Sequence, residues 1–215
     1  PTLGISTRQI LLIGAAAGVA AYFRAPLAGT ILAMETPFRR DMDGTVLLPA
    51  SIAALLAHQI HGRLVDPHPL LPFPDASYQG WQGLLSVLAL GLLAGILSRR
   101  LQRGVLRVRE WTGRIGWVHR ALIGGLATTL TAFVAWRFFG DTFTLQGGLP
   151  LALAVADGTF VGWAAAGLLG LKLLAVWAAL GTTGVAGVLV VTLSIGTVLG
   201  GVLHPLLPGL SLPLA

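Results

Sequence analysis

Ionisable side chains inside long uncharged runs are the first residues in this sequence that could do chemistry. Lys172 interrupts the apolar stretch Thr159–Leu180, Glu35 closes the run Ala25–Met34, and Arg24 separates that run from Gln9–Phe23. If such runs lie in a membrane, a charge within them is costly and is by default a candidate for ion or proton handling. Each also has a structural explanation. Glu35 precedes Arg39 by four residues, the spacing of a helical ion pair. Lys172 can snorkel, or meet Asp157 about four helical turns away in a folded-back segment. His58 and His61, with Asp66 and His68 beyond them, have a spacing that permits a metal site. No acid stands between the two histidines in the His-Glu-x-x-His manner of a metalloprotease, however. Ser194 in "LSIG" and His204 are the residue types of an intramembrane serine protease, but ten residues along one helix is poor geometry for a nucleophile and its base.

The elements that must position these residues are uneven. A membrane-spanning helix needs about 20 apolar residues, or about 17 at the short end. Gln9–Phe23 and Ala25–Met34 fall short and are predicted as broken, half-length helices parted at Arg24 and Pro26. Gly44–Gly62 is long enough to cross, and the proline-rich Val65–Tyr78 is a loop. Ala76–Ser98 is the clearest full span, its helix extended outward by an arginine-rich segment, and Ala121–Trp136 is a second, antiparallel span. "TFTLQGGLP" after Asp141 breaks the backbone before another half-helix, Leu149–Ala156. Thr159–Leu180 crosses again, "GTTGVAG" interrupts, and Val188–Leu203 forms a last apolar helix. Six to eight membrane segments result. Irregular backbone at membrane depth is tolerated only where protein buries it or it lines a watery cavity, and short Gly/Pro-interrupted segments point to a transport site made from helix ends.

Composition supports a bilayer as solvent. Of 215 residues, 55% are hydrophobic and 10% charged, against about 25% charged in a soluble domain, which nearly excludes a soluble enzyme. The net charge of +6 is concentrated, because Arg99, Arg100, Arg103, Arg107, Arg109, Arg114 and Arg120 are half of the 14 basic residues. They lie between two long apolar runs and have no base-reading module around them. The positive-inside rule therefore makes them one cytoplasmic loop, with Arg39 and Arg40 closing another, and no nucleic-acid partner is implied. Cysteine is absent, so there is no disulfide framework and no thiolate metal site.

Two motifs carry a family pattern. "GAAAGVAAYFRAPLAGTILAMETPFRRDMDGTVLLPASIAALLAHQI", from Gly14 to Ile60, resembles the CLC family of voltage-gated chloride channels and proton/chloride antiporters, with its Phe-x-Ala-Pro-Leu-Ala-Gly segment and an apolar run ending in Glu. "LKLLAVWAALGTTGVAGVLVVTLSIGTVLGG", from Leu171 to Gly201, is similar to that family's Lys-bearing helix, Gly-rich break and Gly-x-Phe-x-Pro helix start. The resemblance implies an all-α, polytopic CLC-like fold of inverted repeats with broken helices. Residues 1–62 would end the first repeat, 63–78 would be an extracytoplasmic loop, and 79–215, with a basic cytoplasmic loop at 99–120, would begin the second. It further implies a multi-pass protein of a bacterial-type inner or plasma membrane, a homodimer, chloride or a similar anion as the transported partner, and no cofactor. The small residues of Ala28–Met34 and Leu47–Leu56 resemble the family's interface helices and permit close packing. The family's gating-glutamate motif is expected before residue 1 and its pore tyrosine beyond the last residue, so the chain reads as a central fragment.

The resemblance also assigns site residues. The family's Gly-Gly-Ile-Phe-Ala-Pro falls on Ala186, Gly187, Val188, Leu189, Val190 and Val191, with Leu189 in place of Phe and Val191 in place of Pro. A helix N-terminus here offers unpaired N–H groups and a partial positive charge to an anion, with Val188 and Leu189 as donors and Gly187 allowing close approach. Glu35, Thr36, Lys172 and Arg24 are implied as residues of the ion or proton pathway. Thr36 stands where many antiporters carry an internal proton-transfer acid; threonine does not titrate, which leans towards a channel or an exchanger using another route. Metalloenzyme chemistry and non-CLC transport of another anion are the rival expectations.

Overall fold

A computed structural model describes residues 6–35, 44–65, 80–184 and 187–206. Every regular element among them is helical: α1 (Thr7–Phe23), α2 (Pro26–Glu35), α3 (Gly44–Leu64), α4 (Gly80–Thr112), α5 (Trp117–Phe139), α6 (Leu149–Ala156), α7 (Trp163–Thr182) and α8 (Val188–Leu203), with a 3₁₀ turn at His204–Leu206. The chain divides into two compact units, Pro1–Pro72 and Phe73–Ala215.

In the first unit α1 opens on a capping box. Ser6 Oγ accepts the Gln9 N–H at 3.3 Å, and the Gln9 side-chain carbonyl accepts the Ser6 N–H at 2.9 Å. Pro26 forces the break expected after α1, because it disfavours helical backbone in the residue before it and has no N–H to continue the ladder. Arg24 reverses the chain in the left-handed region, at φ 55°. The short α2 then packs back on α1 so closely that a Cβ at Gly29 would stand 2.8 Å from the Ala16 carbonyl oxygen. Ala16, Ala20, Ala50, Ala54 and Val46 are fully buried in the seam of α1, α2 and α3. Small side chains let these backbones approach without a hydrophobic driving force from lipid.

The second unit is organised around α7. α4 and α5 are joined by a turn at 113–116, yet their main contacts are with α7 rather than with each other. Gly104 and Gly181 carry the α4–α7 contact: a methyl on Gly104 would collide with the Trp177 indole, and one on Gly181 with Val108. Trp177 Nε1 donates to the Leu101 carbonyl at 3.0 Å, and Thr112 Oγ1 to the Gly181 carbonyl at 3.3 Å. A core of Phe143, Leu151, Val155, Ala165, Leu168 and Val198 ties α6, α7 and α8 to the segment after α5. Phe160 meets Phe139 and Phe143 edge-on beside it.

Among the described residues, five helices are long and apolar enough to cross a membrane: α3, α4, α5, α7 and α8 with its 3₁₀ extension. Leu11, Leu27, Leu48, Leu92 and Leu126 point outward, a surface suited to acyl chains and unsuited to water. Of the expected half-helices, α2 and α6 are short, at 10 and 8 residues, whereas α1 runs for 17 and reaches the lower limit of a span; the bounds of α6 and α8 coincide with expectation.

Candidate functional site

The two backbone breaks of the second unit meet at one cavity. The segment 140–148 follows α5 because Gly140 caps that helix in the left-handed region, and it ends at Gly148, φ 108°, where Pro150 in the first turn starts α6. Gly148 lies against Ser194 so tightly that a methyl there would collide with it. Ser194 Oγ donates within its own helix to the Val191 carbonyl at 2.8 Å. The second break ends at Gly187, the N-cap of α8, in extended backbone with φ −70° and ψ 107°. Among the described residues no side-chain hydrogen bond caps α8, and the first N–H groups of a helix have no partner within it.

Between these breaks lies a cavity of about 440 Å³. Lys172, Thr144, Gln146, Gly147, Gly187 and Val191 are among its lining residues, and none of the residues that line it is acidic. Lys172 is 1% exposed. Its ammonium donates to the carbonyls of Phe143 and Thr144, both at 3.3 Å, and of Gln146 at 2.5 Å. Three N–H donors thus meet three carbonyls that the broken backbone leaves without helical partners. Thr144 Oγ1 is buried without a hydrogen-bond partner. Lys172 and the N-cap of α8 thus share one cavity, with no acidic residue among those described in its wall; a cation and a helix N-terminus each favour a nearby anion.

The expectation that Lys172 snorkels or pairs with Asp157 is corrected. Asp157 is exposed at the end of α6, whereas Lys172 is buried and turned towards the 143–146 carbonyls. A buried ammonium needs several acceptors, and the break supplies them at short range. Thr144, Gln146 and Gly147 were not singled out from sequence. The signal available was the Gly-Gly-Leu-Pro break itself, whose carbonyls must find donors.

Gly187 and Lys172 are therefore brought to one cavity. Val188 and Leu189 are 50% and 41% exposed and are not among the residues that line the cavity, which takes Gly187, Val190 and Val191 from the start of α8. Glu35 is exposed at the last position of α2, and Arg24 forms the C-cap of α1; both belong to the first unit. Thr36, and the partner Arg39 considered for Glu35, lie outside the described residues. His58 and His61 lie on α3, and no group of three or more metal-ligating side chains occurs among the described residues; Asp66 and His68 lie outside them. Ser194 is fully buried on α8 and His204 follows its end, roughly 15 Å away along the axis at 1.5 Å per residue, so the two do not form a nucleophile–base pair.

A chloride channel protein of Ralstonia nicotianae described as ClcB-like is 28% identical over 209 residues, covering 94% of this chain and 47% of that protein. A voltage-gated ClC-type chloride channel, ClcB, of Citrobacter koseri is 30% identical over 205 residues, 87% of this chain and 44% of the relative. The chain thus spans under half the length of these curated relatives. No solved structure matches it significantly. The model of the voltage gated chloride channel family matches residues 2–214, and with the all-α, multi-pass architecture this places the chain in that family of integral membrane proteins.

Proposed function

We propose that this chain forms the central part of a chloride-transporting protein and holds one wall of its anion pathway. The carrying observation is the single cavity on which the α8 N-cap, Gly187, and the buried Lys172 ammonium converge. An anion at the α8 N-terminus would accept hydrogen bonds from the Val188 and Leu189 N–H groups, with Lys172 raising the local positive potential. Chloride as the ion is supported by family membership and by the names of both relatives. Glu35 and Arg24 belong to the proposed pathway as residues implied by the family pattern.

Thr36 does not titrate as a carboxylate does, which favours a passive channel or an exchanger that uses another route. The pattern of Ala28–Met34 and Leu47–Leu56 supports a homodimer. The full-length protein should be reconstituted in liposomes and chloride efflux followed with an ion-selective electrode, with external pH recorded in parallel. Chloride efflux without proton movement supports a channel, and stoichiometric proton uptake supports an exchanger. Efflux of another anion that chloride does not compete with would replace chloride as the substrate.

A further inference from the structure

The turn joining α4 to α5 carries a cluster that the ion pathway does not use. Arg107, Arg109 and Arg114 are exposed, and Arg120, on the first turn of α5, has a buried Nε with no hydrogen-bond partner among the described residues. Trp111 and Trp117 flank them at 70% and 80% exposure. Glu110 is the one acid between residues 99 and 120, against seven arginines.

α4 and α5 are both apolar helices long enough to cross a membrane, and the arginines from Arg99 to Arg120 lie between their apolar runs, so the cluster belongs to one side of the bilayer. Gly181 on α7 packs against Val108 on α4, and the adjacent Thr182 against Gly124 on α5. The end of α4 and the start of the apolar run of α5 are thereby both held against the end of α7. At a membrane–water interface indole rings are stable with one face apolar and one edge wet. Guanidinium groups there lie within reach of phosphate oxygens, which they bind in a bidentate manner. The packed side of α4 (Leu101, Gly104, Val108, Thr112) is occupied by α7, which leaves the arginine side outward.

We propose that Arg107, Arg109, Arg114 and Arg120, framed by Trp111 and Trp117, form a binding surface for anionic phospholipid headgroups. The surface is independent of which ion the pathway carries. The full-length protein, reconstituted in phosphatidylcholine bilayers, would be titrated with spin-labelled phosphatidylglycerol and, separately, spin-labelled phosphatidylcholine, and the protein-associated fraction read by electron paramagnetic resonance. The expected result is a preference for phosphatidylglycerol of about fivefold or more at low salt, falling towards unity at high ionic strength. R107Q/R109Q/R114Q should abolish the preference, and R107K/R109K/R114K should retain most of it. Equal association of the two lipids with the wild type, or a preference that survives the glutamine variant, would overturn the proposal. Should the glutamine variant fail to fold, the salt titration of the wild type decides, because a salt-independent preference cannot arise from exposed arginines.

Discussion

Replacing Lys172 separates its two roles, that of a charge and that of a clamp on the 143–146 backbone. Lys172→Met removes the charge and leaves the carbonyls of Phe143, Thr144 and Gln146 without their donor. Each buried acceptor left unpaired costs about 1–3 kcal/mol, less where the cavity admits water. Lys172→Gln removes the charge but keeps two N–H donors, so its thermal unfolding should stay much closer to wild type. The electrostatic loss is common to both. A cavity of about 440 Å³ is about 9 Å across if round, so an anion at the Gly187 end lies on the order of 10 Å from the ammonium. At an effective dielectric constant of about 20 that charge contributes roughly 1.7 kcal/mol, or about twentyfold in affinity. Chloride binding to the full-length protein by titration calorimetry, with efflux from liposomes alongside, provides the assay. Lys172→Gln should fold normally and bind chloride about twentyfold more weakly, while Lys172→Arg should keep the affinity if its larger head is accommodated. A Gln variant that folds normally and binds within twofold of wild type would refute the electrostatic argument. A Met variant as stable as wild type would refute the clamp.

Three further outcomes follow from the same geometry. Val188→Pro removes one donor at the first position of α8, where proline suits the helix and Gly187 is already extended. It should leave thermal stability nearly unchanged yet weaken chloride binding by about 1.5–3 kcal/mol, read by the same calorimetry; unchanged affinity would exclude that N–H as a ligand. Gly148→Ala combines φ 108° with a collision on Ser194, so it should destabilise the protein by about 2–5 kcal/mol in a thermal melt. Gly148→Ala/Ser194→Gly should recover part of that loss. Trp177→Phe deletes the 3.0 Å bond to the Leu101 carbonyl in the α4–α7 seam and should cost about 1–3 kcal/mol in unfolding free energy, with anion binding unaffected because Trp177 does not line the cavity.

Much of the framework was legible as pattern. The lengths of the apolar runs marked α3, α4 and α7 as able to span and α2 and α6 as too short, while α1, at 17 residues, and α8, at 16, lie at the boundary. Pro26, the Gly-Gly-Leu-Pro break and the Gly-rich break before Val188 marked where the backbone had to stop. These signals are local: proline lacks an N–H, glycine tolerates positive φ, and about 20 residues are needed to cross hydrocarbon. Partner choice was less legible. The two spans of α4 and α5 read only as antiparallel, whereas both pack mainly on α7, because Gly104, Gly124 and Gly181 are the positions that admit a close neighbour.

The site divides along the same line. The sequence by itself determined that a lone lysine lies in an apolar helix, that a helix begins uncapped after a glycine-rich break, and that the two belong to a chloride-channel pattern. Only the tertiary structure decided that Lys172 turns from Asp157 to the carbonyls of 143–146, and that this clamp shares a cavity with Gly187. The physical reason is that a buried ammonium takes whichever acceptors the folded backbone leaves unpaired nearby. Which carbonyls those are depends on how α5, α6 and α8 close around α7, and spacing along the chain does not encode it.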